Sequence, residues 1–100
     1  MLGKYIRIRI DHPIGTADEK TGYTYPLNYG AVYGYENLNS FVMGIDHPVR
    51  NFDGRVIATL NPKAGGRQIL ITAPKSTRFI INDIAKYIDA KKDFPAYKLE

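Results

Sequence analysis

The residues best suited to chemistry are five tyrosines that lie between positions 23 and 35. They surround the segment Tyr25-Pro26-Leu27-Asn28-Tyr29-Gly30. A phenol hydroxyl can donate a hydrogen bond to a phosphate oxygen, and its ring can stack on a base. Tyrosine is also a common strand residue with one polar end, so a purely structural role accounts for the same segment. Both interpretations stay open at this point.

A second pattern is the repeated Asp-His-Pro at residues 11–13 and 46–48, each preceded by isoleucine. Aspartate and proline are usual at turns that end strands, which is the simpler interpretation. The alternative brings both Asp-His pairs together as a metal or acid–base site, because carboxylate and imidazole side chains serve both purposes.

Composition excludes several kinds of protein. The chain has 100 residues, the size of one domain, and no cysteine, which rules out disulfides and thiol catalysis. Two histidines cannot form a three-histidine zinc site. No run of about 18 apolar residues is present, and the first residues are not typical of a signal peptide, so we expect a cytoplasmic protein without a membrane partner.

The charge points weakly to an anionic partner. There are 14 basic and 10 acidic residues, and the formal net charge is +4. This excess suits phosphate or nucleic acid, but it is also ordinary for a soluble domain.

The apolar pattern predicts mostly strands. Ile6, Ile8 and Ile10 alternate with Arg7 and Arg9, which is the period of a half-buried strand. The strands are expected near 4–10, 28–35, 38–45, 54–60 and 67–73, with Asp53-Gly54 as a turn before the fourth. Helical spacing of apolar residues predicts one helix near 80–91. The residues expected to be buried are Ile6, Ile8, Ile10, Val42, Val56, Leu70 and Ile84.

Five strands and one terminal helix predict a mainly β fold, a small five-stranded OB-type barrel with one C-terminal α-helix. A half-open β-roll is the alternative. Nothing indicates a second domain.

Several segments in the same order resemble the short bacterial form of the family I inorganic pyrophosphatases. The resemblance covers roughly residues 3–90. The segments that carry it are 10–16, 25–30, 44–49, 52–58 and 70–74, of which Tyr-Pro-x-Asn-Tyr-Gly at 25–30 is the most specific. It implies an OB-type barrel that hydrolyses pyrophosphate with several Mg²⁺ ions.

The resemblance also implies that this chain is a divergent member with a degenerate metal site. Tyr29 keeps the family's tyrosine. Ala31 stands where the family has a second tyrosine, Asn39 where it has a metal-binding aspartate, and Ile69 where it has a lysine. His12 replaces an arginine. Since neutral amides bind Mg²⁺ far more weakly than carboxylates, we expect Mg²⁺ binding to be weak or absent and hydrolysis to be reduced or lost.

Two hypotheses of function follow. In the first, a divergent pyrophosphatase binds a small anion such as pyrophosphate, with Tyr29 also in the catalytic role. The phosphate-binding residues are Tyr29, Lys63, Arg67, Arg7 and Arg9, and any metal would be held by Glu36, Asp46 and Asp11. In the second, a non-catalytic OB-type protein binds a nucleotide, single-stranded nucleic acid or a protein partner. The sequence leaves homo-oligomer formation open.

Overall fold

The computed structural model describes residues 2–63, 65–75, 83, 84, 86 and 97–99. Within them the chain forms six strands: β1 (Tyr5–His12), β2 (Asn28–Val32), β3 (Asn39–Val42), β4 (Asn51–Pro62), β5 (Ile69–Ala73) and β6 (Tyr97–Leu99).

The first five strands close into a barrel. Their order is β1-β2-β3-β5-β4, and β1 also pairs with β4, which closes the circle. β3 and β5 run parallel, while the other pairs of the barrel are antiparallel. β6 adds to the far end of β4 through Leu60, Asn61 and Pro62. The OB-type barrel predicted from the sequence is therefore confirmed, and the half-open roll is not formed.

Alternating side chains divide the core into two clusters. The first draws on each of the five barrel strands and therefore fills the interior; its buried members are Ile6, Ile8, Val32, Val42, Val56 and Leu70. The second comes from the other side of β3, β4 and β5, together with Leu27 and Ile84, and so lies on the outside of the barrel. Its buried members are Leu27, Phe41, Met43, Ala58, Leu60, Ile71, Ala73 and Ile84.

Most of the predicted core is confirmed, but Ile10 is only half-buried. The pairing of β1 with β2 is irregular between Ile10 and His12, so the strict alternation that buries Ile6 and Ile8 ends there.

Several predicted strand bounds were wrong. β2 ends at Val32 because the chain turns, with left-handed backbone at Gly34 (φ 81°) and Asn37 (φ 61°). β4 begins before the predicted turn, and Asp53 and Gly54 lie inside the strand. A Cβ at position 54 would overlap the carbonyl oxygen of Ala73, which explains a glycine in the middle of that strand.

The end of the chain differs from the prediction in one respect. β6 was not predicted. Residues 83, 84 and 86 are helical, and the rest of the predicted helix lies outside the described residues. In the described part of the chain no helix is long and apolar enough to cross a membrane.

Candidate anion-binding site

Tyr29 lies on the outer side of β2, where it packs against other rings. It is half-buried, and register places it between Phe41 of β3 and His12 of β1. Its ring centroid is 4.7 Å from that of Phe41 and 5.9 Å from that of His12. The ring is therefore part of the packing of the outer face, whatever its hydroxyl binds.

The segment between β1 and β2 brings two more tyrosines to the same place. Its two halves pair through backbone hydrogen bonds, in which the Gly15 amide donates to the Tyr25 carbonyl and the Tyr25 amide donates to the Thr16 carbonyl, both at 2.9 Å. The Tyr25 ring stacks on His12 with centroids 4.5 Å apart, and Tyr23 meets Tyr25 edge-on at 5.0 Å. We call His12, Tyr23, Tyr25, Tyr29 and Phe41 the aromatic cluster.

Burial and a nearby carboxylate change the acidity of this cluster. Burial raises the pKa of the Tyr25 hydroxyl, and the negative charge of Asp18 adds to that effect. The backbone amides of Lys20 and Thr21 donate to Asp18 Oδ1 at 2.8 and 3.2 Å, and these hydrogen bonds lower the pKa of Asp18. Tyr25 is therefore a neutral donor beside a fixed negative charge at neutral pH.

A buried amide fastens the two Asp-His-Pro segments to one another. Asn28 is fully buried at the start of β2. Its Oδ1 accepts a hydrogen bond from the Ile14 amide at 2.9 Å, and its Nδ2 donates to the His47 carbonyl at 2.9 Å. The segments that follow β1 and β3 are thus held together through backbone atoms, not through their aspartates and histidines.

Arg7 and Arg9 project outward from β1, as predicted, but each meets a carboxylate. Arg7 Nε donates to Asp53 Oδ1 at 2.7 Å and Nη2 to Oδ2 at 3.1 Å. Arg9 Nε donates to Asp11 Oδ1 at 3.0 Å. The bond with Arg7 lowers the pKa of Asp53, and the bonds with Asp53 and Asp11 raise the pKa of each guanidinium. These arginines are exposed, so an incoming anion competes with the two aspartates for them.

Three positions at which the family resemblance expects functional groups are neighbours across the sheet. Ala31 of β2 pairs with Asn39 of β3, and Asn39 pairs with Ile69 of β5. Arg9 of β1 pairs with Ala31 on the other side. Directly paired residues point to the same face of a sheet. The row Arg9–Ala31–Asn39–Ile69 therefore runs along the outer surface, next to the Tyr29–Phe41 pair.

The predicted metal-binding carboxylates do not form one cluster. Asp11 is bonded to Arg9, Glu36 is exposed beyond β2, and Asp46 Oδ1 lies 3.1 Å from His47 Nδ1, which lowers the pKa of Asp46. Within the described residues, no group of three or more histidine, aspartate or glutamate side chains could hold a metal ion. The described residues therefore do not fit the several-Mg²⁺ site that the resemblance implies.

Lys63 and Arg67 lie between β4 and β5, and both are exposed. The Gln68 side-chain amide donates to Asn61 Oδ1 at 2.8 Å across the ends of this connection. The roles of Lys63 and Arg67 in binding phosphate stay predictions, as does that of Tyr29.

Some contacts at this site could not be read from the sequence. Asp53, which pairs with Arg7, is 46 positions away and was expected in a turn. Asp18 belongs to none of the patterns singled out in the sequence. Their partners depend on strand register and loop closure, for which the sequence carries no local signal.

The barrel places this chain among small closed β-barrels of the OB type, and solved structures of that class include similar proteins. An inorganic pyrophosphatase from Ehrlichia chaffeensis matches with a TM-score of 0.70 and 12% identity, over 100% of this chain and 87% of that one. An inorganic pyrophosphatase from Coxiella burnetii matches with a TM-score of 0.52 and 16% identity, over 94% and 66%. At such identities the likeness is one of fold. No family model matches the chain, and no curated protein matches it significantly.

Proposed function

We propose that this chain is a pyrophosphatase-like protein that binds pyrophosphate on the outer face of the barrel and hydrolyses it far more slowly than its structural relatives, or not at all. The observation that carries the proposal is the row on β2, β3 and β5. Ala31, Asn39 and Ile69 occupy three neighbouring positions of that row, so the groups that the resemblance expects are missing from one place.

The anion is proposed to lie beside Tyr29, within reach of exposed basic side chains. The groups proposed to bind it are Tyr29, Arg7, Arg9, Lys63 and Arg67. Asp11, Glu36 and Asp46 do not form one group, so any Mg²⁺ on them would be held weakly. Guanidinium groups are well matched to phosphate, because they present several donors in one plane. The hydroxyl of Tyr29 can add a hydrogen bond at the apolar edge of the site. A cytoplasmic location, as expected from the sequence, suits a ligand of this kind.

The lack of charge at Asn39 and Ile69 gives the physical reason for slow turnover. Phosphoryl transfer needs groups that neutralise charge developing on the phosphate oxygens, and the loss of one such group typically costs about 10²–10³ in rate. An amide at Asn39 and a hydrocarbon at Ile69 supply no charge. Groups that act as a unit are not additive, so the total loss is not a sum.

The test is release of phosphate from pyrophosphate with Mg²⁺ or Mn²⁺, in protein free of host pyrophosphatase. The chain is compared with the double variant Asn39→Asp, Ile69→Lys, whose new carboxylate and ammonium would be cross-strand neighbours. We expect negligible turnover in the natural protein and a gain in metal binding, measured by calorimetry, in the double variant. The matched control is Asn39→Ala, Ile69→Ala. Turnover in the natural protein at the level of an active pyrophosphatase would refute the proposal.

Binding is tested separately through Tyr29. Tyr29→Phe keeps the ring against Phe41 and removes only the hydroxyl, so the melting temperature should stay nearly unchanged. Affinity for pyrophosphate should fall, by about 10-fold or more for one lost hydrogen bond to a charged group. Equal affinities for the two proteins would remove Tyr29 from the binding site.

A further inference from the structure

The outer side of β1 exposes large aromatic side chains. Tyr5 is 56% exposed and Tyr33 is 49% exposed. In the part of the chain that the structure describes, Leu2 is the only other large hydrophobic side chain exposed to this degree. Exposed rings on a strand surface offer flat faces on which another planar group can stack.

Both rings lie beside cations. The Lys75 ammonium nitrogen is 5.5 Å from the centroid of the Tyr5 ring. The Tyr33 amide donates to the Arg7 carbonyl at 2.9 Å, while its hydroxyl donates to Asn51 Oδ1 at 3.1 Å. Asn51 is the register partner of Arg9. The Tyr33 side chain therefore crosses β1 between the two arginines.

Two shallow clefts adjoin these rings. One, of about 410 Å³, is lined by Arg9 and by the turn that carries Tyr33. The other, of about 340 Å³, is lined by Tyr5, Arg7 and Lys75. Each cleft thus combines one exposed ring with at least one cation and one carboxylate, Glu36 in the first and Asp53 in the second. The two clefts follow one another along the strand.

We propose that this surface, which we call the β1 face (Tyr5, Arg7, Arg9, Tyr33 and Lys75), binds single-stranded nucleic acid. Bases stack on the two tyrosines, and backbone phosphates lie against the two guanidinium groups and the ammonium group. Aromatic faces interleaved with positive charge are what single strands require, because every base has a π-face and every linkage a negative charge. A duplex hides its base faces and so fits this surface poorly.

The aspartates bonded to the arginines of the β1 face set its affinity for phosphate. Asp53 and Asp11 already accept hydrogen bonds from Arg7 and Arg9, so a phosphate must replace a carboxylate at each arginine. Exposed ion pairs are weak, and this exchange is feasible in water. It follows that removing the carboxylate should strengthen binding, whereas removing the arginine should weaken it.

The test is fluorescence anisotropy of the full chain with labelled oligothymidylate and oligouridylate of about 12 nucleotides, the size that one such barrel covers. We expect affinity to fall as salt rises, with a slope of about −2 in log–log form for three phosphate contacts on a single strand. Binding of both oligonucleotides would indicate a surface that does not distinguish RNA from DNA. A preference for one would show which of the two backbones the surface favours and would equally support the proposal.

Variants separate stacking from charge. Tyr5→Ala and Tyr33→Ala should each weaken binding by about 5- to 100-fold, while Tyr33→Phe should keep most of it. Asp53→Asn should bind more tightly than the natural protein. Lys20→Ala, which removes an exposed charge from the segment between β1 and β2, is the matched control and should bind normally.

Three results would overturn the proposal. They are no binding at low salt, equal affinity for a duplex of the same length, or full affinity after both tyrosines are replaced. Pyrophosphate binding and turnover are measured without the oligonucleotide. A failure to bind oligonucleotides therefore leaves the proposed function intact, and a failure to bind pyrophosphate leaves this proposal intact.

Discussion

The outer surface of the barrel has two contrasting regions. On β1 the outward side chains are exposed, and the two charged ones, Arg7 and Arg9, are bonded to Asp53 and Asp11. On β3 and β5 the outward side chains of Phe41 and Ile71 are apolar and fully buried. The same barrel thus exposes one outer region to solvent and covers the other with its second core cluster.

The boundary between these regions lies at β2, and it is informative. Ala31 has Arg9 on one side and Asn39 on the other. Charge therefore stops at β1 and does not continue onto β3 and β5, where the resemblance expects a carboxylate and a lysine. The contrast teaches that this barrel forms without charged side chains at positions 31, 39 and 69.

The largest loss of stability is expected at this boundary, in β2. A Cβ at Gly30 would overlap the carbonyl oxygen of Arg9 and approach the Cα of Ile10, both backbone atoms that cannot move aside. We expect Gly30→Val to separate β1 from β2 and to lower the free energy of unfolding by about 3 kcal/mol or more. Chemical denaturation measures this change.

The control for that variant is Gly34→Ala. Position 34 has no atom within 4 Å of an added Cβ, and its only cost is the positive φ of 81°. A loss of about 1–2 kcal/mol is expected there. Equal losses of stability at the two glycines would show that the close approach of β1 and β2 does not determine the effect of Gly30→Val.

The two regions are compared directly by truncating one side chain in each. Phe41 is fully buried on the outer side of β3. Phe41→Ala should lower the free energy of unfolding by about 3–5 kcal/mol, since it opens a cavity among packed rings. Arg7→Ala should leave the melting temperature essentially unchanged, because exposed ion pairs contribute little. Thermal unfolding of both variants measures the two contributions to stability. A large fall in melting temperature for Arg7→Ala would contradict the difference between the two regions.

A smaller effect is expected from Asn28, which serves both regions by joining the segments after β1 and β3. Asn28→Ala leaves the Ile14 amide and the His47 carbonyl without their partner and should cost about 2–4 kcal/mol. Asn28→Asp is the sharper comparison for Ile14, because it keeps the acceptor for that amide, while it replaces the donor to His47 with a buried carboxyl oxygen and so destabilises the other contact. Amide hydrogen exchange at Ile14 should therefore accelerate in the alanine variant and much less in the aspartate variant.

The smallest effect is on how the melting temperature depends on pH. Because the bond with Arg7 lowers the pKa of Asp53 in the folded state, its contribution to stability is present above the unfolded value of about 3.9 and disappears as the pH falls through the lower folded value. The melting temperatures of the natural protein and Asp53→Asn should differ slightly at pH 7 and converge below about pH 4. A difference that grows in acid would exclude this pair as its source.

The sequence predicts the interior of the barrel better than its surface. Alternation at Ile6 and Ile8 identifies the inward side of β1, because successive side chains of a strand point to opposite faces and only every second one is buried. The site depends on which strands become neighbours. That Asn39 lies beside Ile69, or that His12 stacks on Tyr25, follows from register and from the folding of the segment between β1 and β2. Neither is encoded in a local pattern, and Asp53-Gly54, a good turn signal, lies inside β4.

The closure between β1 and β4 also bears on how fast the chain folds. Residues 5–9 of the first strand pair with residues 51–55 of the fourth, and β3 pairs in parallel with β5. Contacts between such distant parts of a chain form slowly, since loop entropy is lost before they can stabilise anything. During synthesis, at about 5–20 residues per second, β1 waits several seconds for its second partner. Until then one edge of β1 is unpaired, and the charges at Arg7 and Arg9 disfavour its pairing with a strand of another chain.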